Sequence, residues 1–174
     1  MTHTNALRTV LLVIGLSAAA NAADDSCKVL FDADRKMILT AHHSYWTEVL
    51  PGQKETKPKE TIYMGGLNGA IYILVSGKWQ RSGMGPEYAL KQKEENIRNT
   101  KASCRYVRDE AVNGEAAAMY TIHTESEDDK RDGTIWISKS KGVPLREEMG
   151  SDGSPGKIVV RYDYSNVRAP DGVK

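Results

Sequence analysis

The chain has 174 residues, with 24 Lys+Arg against 23 Asp+Glu, 40% apolar residues, 27% charged residues, one Phe and two Cys. That length suits one domain, and a net charge of +1 gives no general attraction to nucleic acid or to an anionic membrane surface. The apolar fraction excludes a chain that is disordered throughout.

The N-terminus reads as an address. Residues 1–8 carry the α-amino group and Arg8; an apolar run follows from Thr9 to Leu16, and small residues end in Ala20-Asn21-Ala22. A positive head, about ten apolar residues and an A-x-A site predict a secretory signal peptide over residues 1–22, cut after Ala22. The run is too short for a membrane span, which needs roughly 20 residues. Cys27 lies several residues too late for lipid attachment at the new N-terminus. The expectation is an exported chain in a periplasm, without stable membrane insertion, in which residues 23–174 form a single domain.

Cys27 and Cys104 are the two cysteines. In an oxidising compartment an isolated pair predicts one disulfide, closing a loop of nearly 80 residues. The spacing is not the C-x-x-C of a redox site, and His42, His43 and His123 are not spaced to complete a zinc site.

In chain order, a short helix is expected over residues 26–37, capped by Asp24, Asp25 or Ser26. Strands follow over residues 40–50, ended by Pro51-Gly52, and over 61–64, ended by Gly65-Gly66. Residues 70–75 are almost wholly apolar and read as a strand buried on both faces. Ser76-Gly77 turns this strand into another over 78–81. Pro86 opens a helix over 87–99 whose few large apolar residues, Tyr88, Leu90 and Ile97, place it on the surface or over something as a lid. Beyond Lys101 the pattern is entirely β: 103–112, a hairpin turn at Asn113-Gly114, then 116–124, 134–138, 145–149 and 157–166. The sum is α+β, a strongly curved antiparallel sheet of about eight strands with two helices.

No catalytic constellation emerges. Neighbouring His42 and His43 point to opposite faces of a strand and so cannot share one metal ion without a bulge. The acidic run Glu125–Asp129 lacks the ligand spacing of a calcium loop, and Gly83-Met84-Gly85-Pro86 lacks the lysine of a phosphate loop. No metal, cofactor or enzymatic activity is therefore expected. The aromatic residues Trp46, Tyr63, Tyr72, Trp79 and Trp136 all fall on predicted strands, where they serve either as core or as the lining of a cavity in the curved sheet.

The segments "GKWQRSGMGP", "TIWISKSKGVPLREEM" and the closing "GKIVVRYDYSNV" resemble the periplasmic outer-membrane lipoprotein carrier (Lol-type) superfamily. The resemblance spans most of residues 23–174. It implies an unclosed β-barrel covered by helices, holding acyl chains. On that footing the expected function is non-enzymatic binding of an apolar ligand, a lipid or lipoprotein acyl chain, with the five aromatics as its lining. The alternative is a protein-binding envelope module, an inhibitor or scaffold, with no small-molecule ligand.

Overall fold

A computed structural model describes residues 22–54, 56–127, 129–150 and 155–173. The predicted leader lies outside these residues except for Ala22, which begins the first helix, α1 (Ala22–Leu39). This helix is longer than the sequence suggests, so Asp24 and Asp25 fall inside it rather than at its cap. It ends where Thr40 turns back on it: Thr40 N donates to the Met37 carbonyl at 2.9 Å and Thr40 Oγ1 to the Lys36 carbonyl at 2.7 Å.

Nine strands follow: β1 (His42–Val49), β2 (Lys59–Tyr63), β3 (Ile71–Val75), β4 (Lys78–Arg81), β5 (Lys101–Val112), β6 (Glu115–Glu125), β7 (Lys130–Ser138), β8 (Pro144–Gly150) and β9 (Lys157–Asp163). The second helix, α2 (Pro86–Asn99), lies between β4 and β5, with Pro86 in its first turn where a missing N–H costs nothing. The count is one above the expected total of about eight, and each strand falls on a segment read as extended from the sequence. The strands form one antiparallel sheet in the order β4-β3-β2-β1-β9-β8-β7-β6-β5. It is strongly curved and does not close.

This order is two meanders, β1–β4 and β5–β9, joined where β1 pairs with β9 from His43↔Asp163 to Val49↔Lys157. It puts β4 and β5 at opposite edges of the sheet, and α2 connects them. Flat, eight inter-strand spacings would separate these edges by about 38 Å. Fourteen helical residues span only about 21 Å. The helix alone does not reach, and the curl of the sheet brings the two edges within easy range of one helix and its short flanks.

Alternation sorts the side chains onto two faces. On the helix-bearing face, Leu30, Ala33 and Cys27 of α1 pack on Cys104, Ile122, Ile135 and Ile137. Trp136, between two of those isoleucines, points the other way and packs with Ala117 and Leu145. Bulges at Tyr106/Arg108 of the β5–β6 ladder and at Trp136/Ile137 of the β7–β8 ladder shift the register.

Residues 71–75 depart from the expectation of a strand buried on both faces. Ile71 and Tyr72 are buried, but Ile73, Leu74 and Val75 are 37%, 44% and 41% exposed. The β3–β4 hairpin lies at an edge of the sheet, and among the described residues neither helix packs extensively against it.

Cys27 and Cys104 form the expected disulfide, with Cα atoms 5.0 Å apart and a sequence separation of 77. It ties α1 to the edge strand β5. A loop of that length is worth about 4–5 kcal/mol on the chain-entropy argument, less any native strain. Thiol titration of the unfolded, unreduced protein should find no free cysteine, and the Cys27→Ser/Cys104→Ser double variant should lose up to about 4 kcal/mol in urea unfolding. Two titratable thiols would contradict the pairing.

Candidate functional site

Between α1, α2 and strands β5 to β8 lies a cavity of about 520 Å³. The size falls within the range of small-molecule sites. Its apolar wall comes from Leu30 and Phe31 of α1, Ile97 of α2, Ile122 of β6, Ile135 of β7 and Met149 of β8. Gly133 of β7 shapes this wall. A Cβ there would stand 2.1 Å from Met149 Sδ, so the missing side chain lets the methionine lie across the neighbouring strand.

Both ends of the cavity carry charge: Arg131 and Asp129 pair at the β6–β7 end, and Asp34, Lys93 and Glu147 stand at the other. Asp34 of α1 is buried, and its carboxylate pairs with Lys93 Nζ of α2. Glu147 of β8 borders the same space and accepts a hydrogen bond from Tyr162 Oη at 3.0 Å. Arg35 Nε adds an outer ion pair to Glu94 at 3.4 Å, so α2 is held to α1 twice. Desolvation pulls the Lys93 ammonium down, but the Asp34 charge and hydrogen bond override it and hold the lysine above its usual value. Glu147 is pushed up to about 7, first by desolvation and then by the Asp34 charge, against the opposing pull of Lys93 and Tyr162. Tyr162 is held neutral well past its ordinary value, again chiefly by desolvation.

A second, smaller cavity of about 220 Å³ lies on the same face, bounded by Met37, His42, Trp46, Tyr63, Val160 and Tyr162. Tyr162 thus separates the two spaces. His42 is fully buried: its Nδ1 donates to the Thr40 carbonyl at 2.8 Å, and its ring stacks on Tyr63 at 4.4 Å between centroids. Burial lowers its pKa, so the imidazole is neutral and its buried Nε2, without a partner, is an acceptor.

The five aromatics read from the sequence are not gathered in one place. Trp46 and Tyr63 line the smaller cavity, with Lys59 Nζ 4.5 Å from the Trp46 ring centroid. Tyr72 pairs with Ile62, whose neighbour Tyr63 points to the helix face, so Tyr72 is buried on the opposite face. Trp79 sits on the edge strand β4. Trp136 is also on the opposite face, donating from Nε1 to Glu110 beneath Arg146. His43 pairs with Glu60 at 2.7 Å and His123 with Asp132 at 2.9 Å, on strands that β9, β8 and β7 keep apart. Among the described residues no group of three His, Cys, Asp or Glu is placed to hold a metal ion, and no helix is long and apolar enough to cross a membrane.

The Asp34–Glu147 end was the part the sequence reading missed, and a signal for it exists. Asp34 continues the apolar stripe of Cys27, Leu30 and Ile38 on α1, and Lys93 lies between Leu90 and Ile97 at helical spacing on α2. A charge within the apolar stripe of each of two adjoining helices implies a pair between them.

No family model matches the chain, and no curated protein does. Solved structures similar to it include the Mycobacterium tuberculosis lipoprotein LppX, at 13% identity and TM-score 0.48, covering 84% of this chain and 97% of that one. MucB is similar at 14% identity and TM-score 0.47; 90% of this chain is covered, and it spans 63% of the length of that protein. A LolA superfamily protein from Nitrosomonas europaea is similar at 11% identity and TM-score 0.30, covering 83% and 94% of the two chains.

Between pH 4.5 and 7 the folded state holds a proton on Glu147 that the unfolded chain releases. Its contribution to stability is therefore complete below about pH 4.5 and lost as pH rises through 7. Glu147→Gln should flatten this part of the stability–pH curve and gain on the order of 3 kcal/mol relative to wild type between pH 5 and 8. Urea unfolding across that range is the measurement; parallel curves for the two proteins would contradict a buried, proton-holding Glu147.

Proposed function

We propose that this protein is a non-enzymatic binding protein that holds an apolar or amphiphilic molecule, a lipid or acyl chain, in the cavity beneath α1 and α2. The observation that carries this reading is the cavity of about 520 Å³ with its wall of Leu30, Phe31, Ile97, Ile122, Ile135 and Met149. Apolar area withdrawn from water there contributes about 25 cal/mol per Å², so the binding needs no cofactor. α2 suits the role of a cover. It packs chiefly against α1, and Pro86 is its one buried residue. Export to the periplasm, read from the leader, provides the setting, and the Cys27–Cys104 disulfide suits an oxidising compartment.

The test is native mass spectrometry and lipid extraction of protein purified from the periplasm. Wild type should carry an extractable apolar ligand. Ala102→Trp, which fills the cavity from β5, should lose at least nine-tenths of it while keeping its circular dichroism spectrum. Thr121→Trp, on the opposite face of β6, should retain it. Empty wild-type protein that also fails to take up added lipid would overturn the reading.

A second reading, a protein-binding envelope module, is favoured by one feature. The outer half of the β3–β4 hairpin and the loops beside it expose Leu67, Leu74, Val75 and Met84 at an uncovered sheet edge. Such apolar exposure marks interaction surfaces. Periplasmic crosslinking that traps one stoichiometric protein partner, lost in Leu74→Lys and accompanied by no lipid, would replace the first reading with this one.

A further inference from the structure

We propose that the Asp34–Glu147 end of the cavity is a headgroup site for an amphiphile bearing a protonated amine, with those two carboxyl groups as the ones that recognise it. This inference rests on the cavity-binding reading above and names the ligand class. Three observations carry it. First, Asp34, Lys93 and Glu147 stand together beside the apolar wall of Leu30, Phe31, Ile97 and Ile122, while Arg131 at the other end of the space is paired with Asp129, so a ligand with its alkyl chain along that wall can place its head against the Asp34–Glu147 end. Second, carboxylates outnumber cations there: Lys93 is engaged by Asp34, and Glu147 has the neutral Tyr162 hydroxyl as its hydrogen-bond donor. Third, Glu147 retains accessible surface although protein atoms surround it closely, which is the position of a side chain facing an internal space.

Charge decides between headgroups in such a place. At low effective dielectric an incoming carboxylate would face Asp34 and an ionised or proton-holding Glu147, with Lys93 already paired. An incoming ammonium meets opposite charge and supplies N–H donors to the lone pairs of Glu147, replacing the water it loses. The groups that face Glu147 are Asp34 from α1, Lys93 from α2 and Tyr162 from β9. Because the empty site holds a proton on Glu147 below neutral pH, an ammonium ligand displaces it. Amine binding is thus linked to proton release and strengthens as pH rises through 7.

The experiment titrates the delipidated protein with dodecylamine, dodecanol and dodecanoic acid, each below its micelle concentration, by isothermal calorimetry at pH 6 and pH 8. Dodecylamine should bind at least tenfold more tightly than either of the others at pH 8. Its affinity should be several-fold weaker at pH 6, and its heat should vary with the buffer's ionisation enthalpy in the sense of proton release. Glu147→Gln should cut the preference for the amine about tenfold and abolish the proton release, leaving dodecanol affinity unchanged; Asp34→Asn provides a second variant with the same expectation for the preference. Equal affinity for the three ligands, or a preference unaltered in both variants, would overturn the amine site while leaving the cavity reading intact. Failure of all three to bind wild type would instead remove the cavity reading itself.

Discussion

The constraint on which the structure depends is a short connection across a wide sheet. The chain leaves one edge at β4 and must enter the other edge at β5 after a single 14-residue helix. On a flat sheet that route would need the flanking residues 82–85 and Thr100 drawn out fully, whereas a curled sheet lets them stay compact. Strand twist and a short connection thus favour the same curl, with the helix lying over the face it bridges. The apolar residues of α1, beginning with Leu30, then share that face with α2 rather than filling it completely. The disulfide reinforces the same geometry, because it fixes α1 to β5, the strand on which α2 lands.

The interior that results is not uniformly greasy. Asp34 and Lys93 come from different helices, and Glu147 and Tyr162 from paired strands of the sheet below. Breaking such a group by removing one partner leaves a buried charge behind, so its members are mutually enforced. The same feature that holds α2 to α1 therefore also gives the cavity its polarity. Replacing Asp34 or Lys93 would therefore alter the hold of α2 on α1 and the polarity of the space together.

Much of the fold was legible in the chain because its signals are local. Alternation in residues 116–124 and 157–166, the Asn113-Gly114 turn, and Pro86 at a helix start each act over a few residues, and the structure has strands and a helix at those places. The Cys27–Cys104 pair needed only its isolation in a chain whose first residues read as a leader. What could not be read was what each face would meet. Residues 71–75 have the composition of a central strand, yet the sheet order puts them next to an edge. Trp136 and Tyr72 look like pocket aromatics, but register turns both away from the helices. Glu147 sits in Arg-Glu-Glu, a sequence that reads as a solvated strand. Only its pairing with β9 brings it to Tyr162, and only α1 and α2 set Asp34 and Lys93 beside it.

The open sheet leaves two rows of backbone donors and acceptors unpaired, a standing template for joining one molecule to the next. Each rim carries its own deterrent. β4 is four residues long and holds Lys78 and Arg81, while β5 presents Lys101, Arg105 and Arg108 and is broken by a bulge beside the last of these. Two copies meeting rim to rim would set ammonium and guanidinium groups against one another along a kinked line. The rims of an unclosed sheet thus carry charge and irregularity where regular edge-to-edge pairing would need neither.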